Sequence, residues 1–444
     1  MNEFPVTFPA TAIPPEASHA RLLGLGAQRQ EGLWMQRVRI AGGRLTSEQW
    51  RALGRISREL TPGEPLHLTT RQDMEIHGLT DGTVPQAQRA LAEVGLTDLG
   101  GGGDSIRNVT VCPCSGVAPG SPELLGLAGT LTEMLQSQPE AFALPRKFKV
   151  SLSACSDAYG LPWINDIGLV AHADGTGWSF HAKVAGSLGH TPGLGIAWPD
   201  ALRPGEVPAF VLAGMTILAS HGDREHRSRA RLRHVRERMG DEAFLELLRE
   251  RFVQARTQVG LADVSLEAPT PGLTHRRRVV APGGNLSPEA AETFARLAAR
   301  GDMRVRLGLH HEIWLFAADP KPLDEALQSL PAEWANAPTV VACPGVRWCS
   351  KGLADSQAMA QRLREALAGN PSDAWIAISG CPNNCAHSAI ADVGLTGLTV
   401  GGAQAYRVLV GGNARTEPRL GKELHDRVLA EQVPEIVRGR ITRE

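Results

Sequence analysis

KVSLSACSDAYGLPWINDIGL (Lys149–Leu169) and WIAISGCPNNCAHSAIADVGL (Trp375–Leu395) are two versions of one stretch of chain. In each, a short apolar strand runs into a cysteine loop and leaves through an Asp-x-Gly-Leu segment. Cys155 then faces Cys381, and Tyr159 lies opposite Cys385. Shortly afterwards KVAGSLG (Lys183–Gly189) repeats as VLVGGNA (Val408–Ala414), and Cys112-Pro113 faces Cys343-Pro344. Self-similarity of this kind is read before any local pattern, because it dictates the architecture.

The repeat extends toward the N-terminal side of each half. RIAGGRLTSEQWRALGRISRELTPGEPLHLTTRQDMEIHGL (Arg39–Leu79) matches Val279–Ala317 in order. Both have a Gly-Gly turn and then a helix start of capping type, Thr46 with Gln49 and Ser287 with Glu289 and Ala290. An amphipathic helix and a strand pair follow. Four matched blocks in one order make a chance resemblance of glycine-rich segments the poorer account. The fold expected is α+β and internally duplicated, with two ferredoxin-like half units and two larger α/β units related by a pseudo-two-fold axis. The boundaries expected are a tail at 1–19, a first half unit at 20–98, its α/β unit at 99–260, a linker at 261–274, a second half unit at 275–333 and its α/β unit at 334–444. GLADVSLEAPTPGLT (Gly260–Thr274) supplies the Pro/Gly-rich connector, and Ala201–Phe252 reads as mostly helical.

At 444 residues the chain exceeds what one hydrophobic core fills economically. A formal net charge of -1 gives no global field for nucleic acid or membrane. The basic run His221–Gly240 lacks interleaved aromatics, so a solvated helix, or one bordering an anionic cofactor, is expected there. No basic-then-apolar leader opens the chain, and the longest apolar stretch, around Val207–Ala219, is interrupted by Pro208 and Gly214. The expectation is a cytoplasmic protein without a membrane span.

Seven cysteines are too few for a disulfide scaffold of this length, and Cys343, Cys349, Cys381 and Cys385 form two close pairs. Four thiolates brought together by tight loops suit an iron–sulfur cubane. Proline after Cys343 and Cys381 stiffens the loops, and Gly345 and Gly380 allow close backbone approach. Structural zinc is the plainer rival, but its cysteine pairs usually enclose two residues, whereas these enclose five and three.

C-x5-C followed by G-C-P-N-x-C resembles the cluster signature of sirohaem-dependent sulfite and nitrite reductases. The likeness extends to GAQRQEGLWMQRVRIAGG (Gly26–Gly43), LTTRQDMEIHG (Leu68–Gly78), DSIRNVTVCP (Asp104–Pro113) and LPRKFK (Leu144–Lys149), covering roughly residues 20 to 440. It implies a 4Fe–4S cluster on Cys343, Cys349, Cys381 and Cys385, with Cys385 also reaching the sirohaem iron. It further implies substrate-facing cations at Arg37, Arg107, Lys147 and Lys149, with Arg71 on the sirohaem carboxylates and Asn383 beside the axial ligand. Sirohaem has eight carboxylates and the substrate is an oxyanion, so both need guanidinium and ammonium partners. Lys147 and Lys149 alternate on a strand-like stretch, which places them on one face.

The activity implied is six-electron reduction of sulfite to sulfide, with nitrite to ammonia as the alternative. No G-x-G-x-x-G turn provides for a nicotinamide or flavin, so a ferredoxin or a flavoprotein subunit is the expected donor. Precorrin-3B synthase is a related branch, but its members usually lack the Gln of Thr70-Arg71-Gln72 and the Lys-Phe-Lys pair. A non-enzymatic cluster protein would need no cage of cations. One departure stands out: Glu75 occupies a position where the family often has glutamine. Cys114 and Cys155 have no role in this scheme.

Overall fold

The computed structural model describes residues 17–441, apart from 119, 139, 174, 176, 262, 263, 265, 271, 336, 370 and 371. Most of the expected N-terminal tail therefore lies outside the described residues.

Two five-stranded sheets with the same topology carry the duplication. The first runs Thr110–Val111, Val150–Ser153, Ile167–Ala173, Trp178–Val184, Ile196–Leu202; the second runs Thr339–Ala342, Trp375–Ser379, Val393–Val400, Ala403–Val410, Lys422–Leu429. In both, the first three strands are parallel, and each of the last two pairs antiparallel with the strand before it. Parallel neighbours need a crossover, and the helices Leu125–Gln136 and Ser356–Ala366 provide it.

The correspondence reaches single hydrogen bonds. Lys149 N donates to Asp166 Oδ2 at 2.8 Å, and Trp375 N donates to Asp392 Oδ2 at 2.8 Å. Gly160 N donates to Ser153 Oγ at 3.0 Å, and Ala386 N to Ser379 Oγ at 3.2 Å. Ala158 and Asn384 share a left-handed conformation, with φ of 51° and 55°. Gly168 and Gly394 also correspond: a Cβ at either would collide with the carbonyl of Pro162 or Ser388. Gly394→Ala should thus cost more than about 2 kcal/mol, read as a lowered Tm. An unchanged Tm would refute this close-packing account.

The ferredoxin-like units do not have separate cores. Leu25–Ala27, Trp34–Val38, Met74–Leu79 and Leu66–Leu68 form one sheet, and Asn285–Leu286 from the second unit adds to its edge against Leu66–Leu68. His275–Val280, Glu312–Ala317 and Met303–Leu307 make the companion sheet. The helices Ser47–Leu60 and Pro288–Ala298 start where expected: Thr46 Oγ1 accepts from Gln49 N at 3.2 Å and Ser287 Oγ from Ala290 N at 3.2 Å. They pack through Trp50 and Phe294, whose ring centroids are 5.2 Å apart, inside a single apolar cluster spanning both units.

After the first large sheet come the helices Val207–His221, Leu232–Met239 and Asp241–Val259. The basic run is not simply a solvated helix. Its first part is an exposed turn at Arg227–Arg229, but Arg231 and Arg233 are buried. Arg231 reaches Asp166 at 2.7 Å, a carboxylate with no exposed surface. A charge so buried persists only with a partner, and the arginine-rich stretch supplies it. Among the described residues no helix is long and apolar enough to cross a membrane.

Candidate active site

Arg37 and Glu75 are direct cross-strand partners, as are His67 and Glu75, so the first ferredoxin-like sheet presents all three at one level. The turn joining its inner strands is tightly tied. Thr69 Oγ1 accepts from Arg71 N and Asp73 N, at 3.2 and 3.0 Å. Gln72, with φ of 61°, anchors its amide on Val111 O and Leu307 O, at 2.7 and 2.8 Å. Opposite this sheet come Arg107, Lys147 and Lys149 from the segments leading into the first large sheet. The two lysines sit just ahead of the strand Val150–Ser153 rather than within it. Cys343, Pro344 and Cys385 complete the lining of a cleft of about 230 Å³.

Five cations therefore converge on a space holding two carboxylates, Asp73 and Glu75. Burial dominates their ionisation, because a charge out of water is disfavoured. It lowers Lys149 strongly and brings Lys147 down to about 7, Arg107 to about 9 and Arg71 to about 10, with neighbouring cations adding to it. Asp73 is raised by burial. Glu75 is also buried, yet Arg37 and His77 overcome the desolvation and hold it well below the usual carboxylate range. An anion entering the cleft would offset the penalty on the cations.

The guanidinium groups presently rest on the protein itself. Arg71 donates to Asn108 O at 2.5 Å and to Asn165 Oδ1 at 3.0 Å, with its Nε buried and unpartnered. Arg107 and Arg37 both donate to Gly101 O, at 2.6 and 2.9 Å.

The cysteine loops meet below. Cys343 Sγ accepts from Gly380 N at 3.1 Å, and its carbonyl accepts from Ser356 Oγ at 2.7 Å. Gly345, with φ of 59°, faces Ser356 Oγ with no room for a Cβ. Cys349 N closes a one-turn helix onto Gly345 O at 2.9 Å, and Cys349 bridges Gln28 of the first unit. Cys385 O accepts from Thr70 Oγ1 at 2.9 Å, which ties the last cysteine loop to the Thr-Thr-Arg-Gln turn. Burial raises the Cys343 thiol to about 12, Cys381 to about 11, and Cys349 above its ordinary value. Thiols so placed ionise only against a strong local positive charge, as iron supplies. Among the described residues no three His, Cys, Asp or Glu are grouped as for one metal ion. A cubane puts its four thiolates on four separate irons, which spreads the ligands wider than a single ion would.

Asn383 is not on the cleft wall; its contacts are with Cys381. His67, Asp73 and His311 are on the wall and carried no sequence signal strong enough to single them out. His67 and Asp73 flank the Thr-Thr-Arg-Gln turn, which was the available hint. In the duplicate unit of the first half, Ala154 N donates to Cys112 Sγ at 3.0 Å, matching Gly380 and Cys343. There Tyr159 stands in the place of Cys385, its hydroxyl on Glu312 and its ring beneath Arg415. That copy retains the loop geometry without counterparts of Cys349 and Cys385. Cys155 contacts both Cys112 and Cys114, and it is the one held toward the thiolate.

Comparison with known proteins gives concordant matches. The model of the nitrite and sulphite reductase 4Fe-4S domain matches residues 102–255 and 333–442, and that of the nitrite/sulfite reductase ferredoxin-like half domain matches 26–94. An assimilatory ferredoxin-dependent nitrite reductase of Haloferax mediterranei is 28% identical over 461 residues, covering 91% of this chain and 78% of that one. A sulfite reductase [ferredoxin] of Mycobacterium tuberculosis is 27% identical over 426 residues, covering 88% and 75%. A ferredoxin–nitrite reductase of Synechococcus elongatus is 26% identical over 454 residues, covering 92% and 85%. The structure of Mycobacterium tuberculosis NirA aligns with a TM-score of 0.80 at 24% identity, over 95% of this chain and 85% of that one, which speaks for the shared fold.

Proposed function

The chain belongs to the nitrite and sulphite reductase family of oxidoreductases, and from that premise we propose that it reduces sulfite to sulfide with a 4Fe–4S cluster and sirohaem. The observation that carries this reading is the convergence of Arg37, Arg71, Arg107, Lys147 and Lys149 above Cys385. Cys343, Cys349, Cys381 and Cys385 would hold the cluster. Arg71, together with Cys385, would hold the sirohaem, whose eight carboxylates suit the surplus of buried cations. When bound, the paired cofactors supply electrons one at a time to the substrate's central atom. The cleft's volume is below the roughly 300–1,000 Å³ of ordinary small-molecule pockets.

The protein's own part is to bind the oxyanion, hold it dry and give protons. Reduction of one sulfite to hydrogen sulfide and three waters consumes six electrons and eight protons. Lys147, brought down to about 7 by burial, is balanced between ammonium and amine near neutral pH, as a general acid should be. Arg37 and Arg107 stay charged and stabilise the oxygens as they leave. The ferredoxin-dependent relatives favour a ferredoxin as donor.

Lys149 favours sulfite. With the anion offsetting the burial that lowers Lys149, a second ammonium beside Lys147 attracts a dianion more than a monoanion, by on the order of 1 kcal/mol or more in a partly dry site. Lys149→Asn should lower kcat/KM for sulfite about tenfold while sparing nitrite, in side-by-side assays with reduced methyl viologen. A wild-type kcat/KM higher for nitrite than for sulfite would sink the preference.

A further inference from the structure

The geometry points to Glu75 as a specificity-setting residue that acts through Arg37. Its carboxylate lowers the positive charge felt by the bound oxyanion by one unit, so that a monoanion competes with a dianion. This rests on the reductase reading above and deepens it.

Arg37 Nε and Nη2 both donate to Glu75 Oε1, at 3.1 and 2.5 Å, and Nη1 donates to Gly101 O at 2.9 Å. Each nitrogen of the fork thus has a protein partner before substrate arrives. Glu75 is 4% exposed, so water screens this pairing little. Its other oxygen, Oε2, lies 3.2 Å from His77 Nε2 without hydrogen-bond alignment, leaving Arg37 as its main counter-charge. Glu75 is also a direct cross-strand neighbour of Arg37, so the backbone itself fixes the contact.

A purely architectural role is the plainer account, and the duplicate unit of the second half shows what that looks like. Glu312 follows the same Glu-Ile pattern, and its two oxygens accept from the Tyr159 hydroxyl and from His310 N at 2.5 Å, with Arg415 lying over the Tyr159 ring. Glu75 instead stands on the cleft wall beside Arg37, Arg107, Lys147 and Lys149. A carboxylate there opposes the entering anion, and it opposes a doubly charged one about twice as strongly. Asp73 shares the wall, but burial raises it, whereas Glu75 is held ionised by its guanidinium partner.

The test compares Glu75→Gln, which keeps shape and loses charge, with Glu75→Asp, which keeps charge. At mildly alkaline pH sulfite is a dianion and nitrite a monoanion. Glu75→Gln should raise the ratio of kcat/KM for sulfite to that for nitrite by about tenfold, mainly through KM. The same shift should appear in Kd when either anion is titrated into oxidised holoenzyme and followed by absorption, without turnover. Glu75→Asp should retain the wild-type ratio. An unchanged ratio in sirohaem-loaded Glu75→Gln, or an equal shift in Glu75→Asp, would overturn the proposal and leave the reductase reading intact. Failure of Glu75→Gln to load sirohaem would show that the carboxylate seats the cofactor instead. A wild-type enzyme that neither binds nor reduces either anion would defeat the reductase reading, and this inference with it.

Discussion

Cys385→Ser should yield protein that has lost its sirohaem together with its cluster, or that keeps a haem with altered axial ligation. Of the four cysteines in the two close pairs, only Cys343 and Cys385 line the cleft, and Cys385 is the exposed one. Its loop is fastened by the Thr70 hydroxyl to the turn that carries Arg71. A serine hydroxyl ionises far less readily than a thiol and is a poor ligand for iron. The substitution is nearly isosteric, so the fold should persist and the cofactors should not. Absorption spectra with iron and acid-labile sulfide analysis read the outcome. A retained cluster beside an unchanged haem spectrum would show that another residue joins the cofactors.

The second large effect divides the seven cysteines into two classes. Cys343→Ser, Cys349→Ser and Cys381→Ser should each reduce iron and sulfide content to near zero. Cys112→Ser, Cys114→Ser and Cys155→Ser should leave both near wild type. The loop geometry is the same in the two halves, down to the backbone amide on Cys112 and on Cys343. What differs is the set of cysteines, because Tyr159 replaces Cys385 and the first half has no cysteine in the position of Cys349. Serine at position 112 still accepts the Ala154 amide, so the first three-thiol group can be altered without dismantling its loop. An intact cluster in any of the first three variants would overturn the ligand assignment.

The duplication was legible because it is written in local patterns: capped helix starts, Gly-Gly turns and cysteine loops at fixed offsets. Thr46 and Ser287 cap their helices as their sequence context demands. The convergence of Arg37, Arg71, Arg107, Lys147 and Lys149 was legible only through resemblance, since each alone reads as a surface charge. His311 reaches the cleft from the second half of the chain, and no local pattern signals so distant a meeting. The burial of Arg231 and Arg233 was missed for a related reason. A basic run reads as solvated until Asp166, some sixty-five residues earlier, is seen to need a counter-charge. Asn383 lies two residues from both Cys381 and Cys385 in sequence, but its side chain turns to Cys381 rather than to the cleft.

The small strand Asn285–Leu286 has a consequence for synthesis of the protein. It pairs with Leu66–Leu68, so the first ferredoxin-like sheet has an open edge until roughly 220 further residues have left the ribosome. At about 5–20 residues per second, that interval is on the order of ten to forty seconds. Throughout it the strand Leu66–Leu68 offers unpaired backbone groups to any neighbouring chain, and the apolar face of Ser47–Leu60 waits for Phe294. The nascent first half therefore keeps this edge open until the second half arrives. The two halves are copies in sequence, yet the earlier one is completed only by the later.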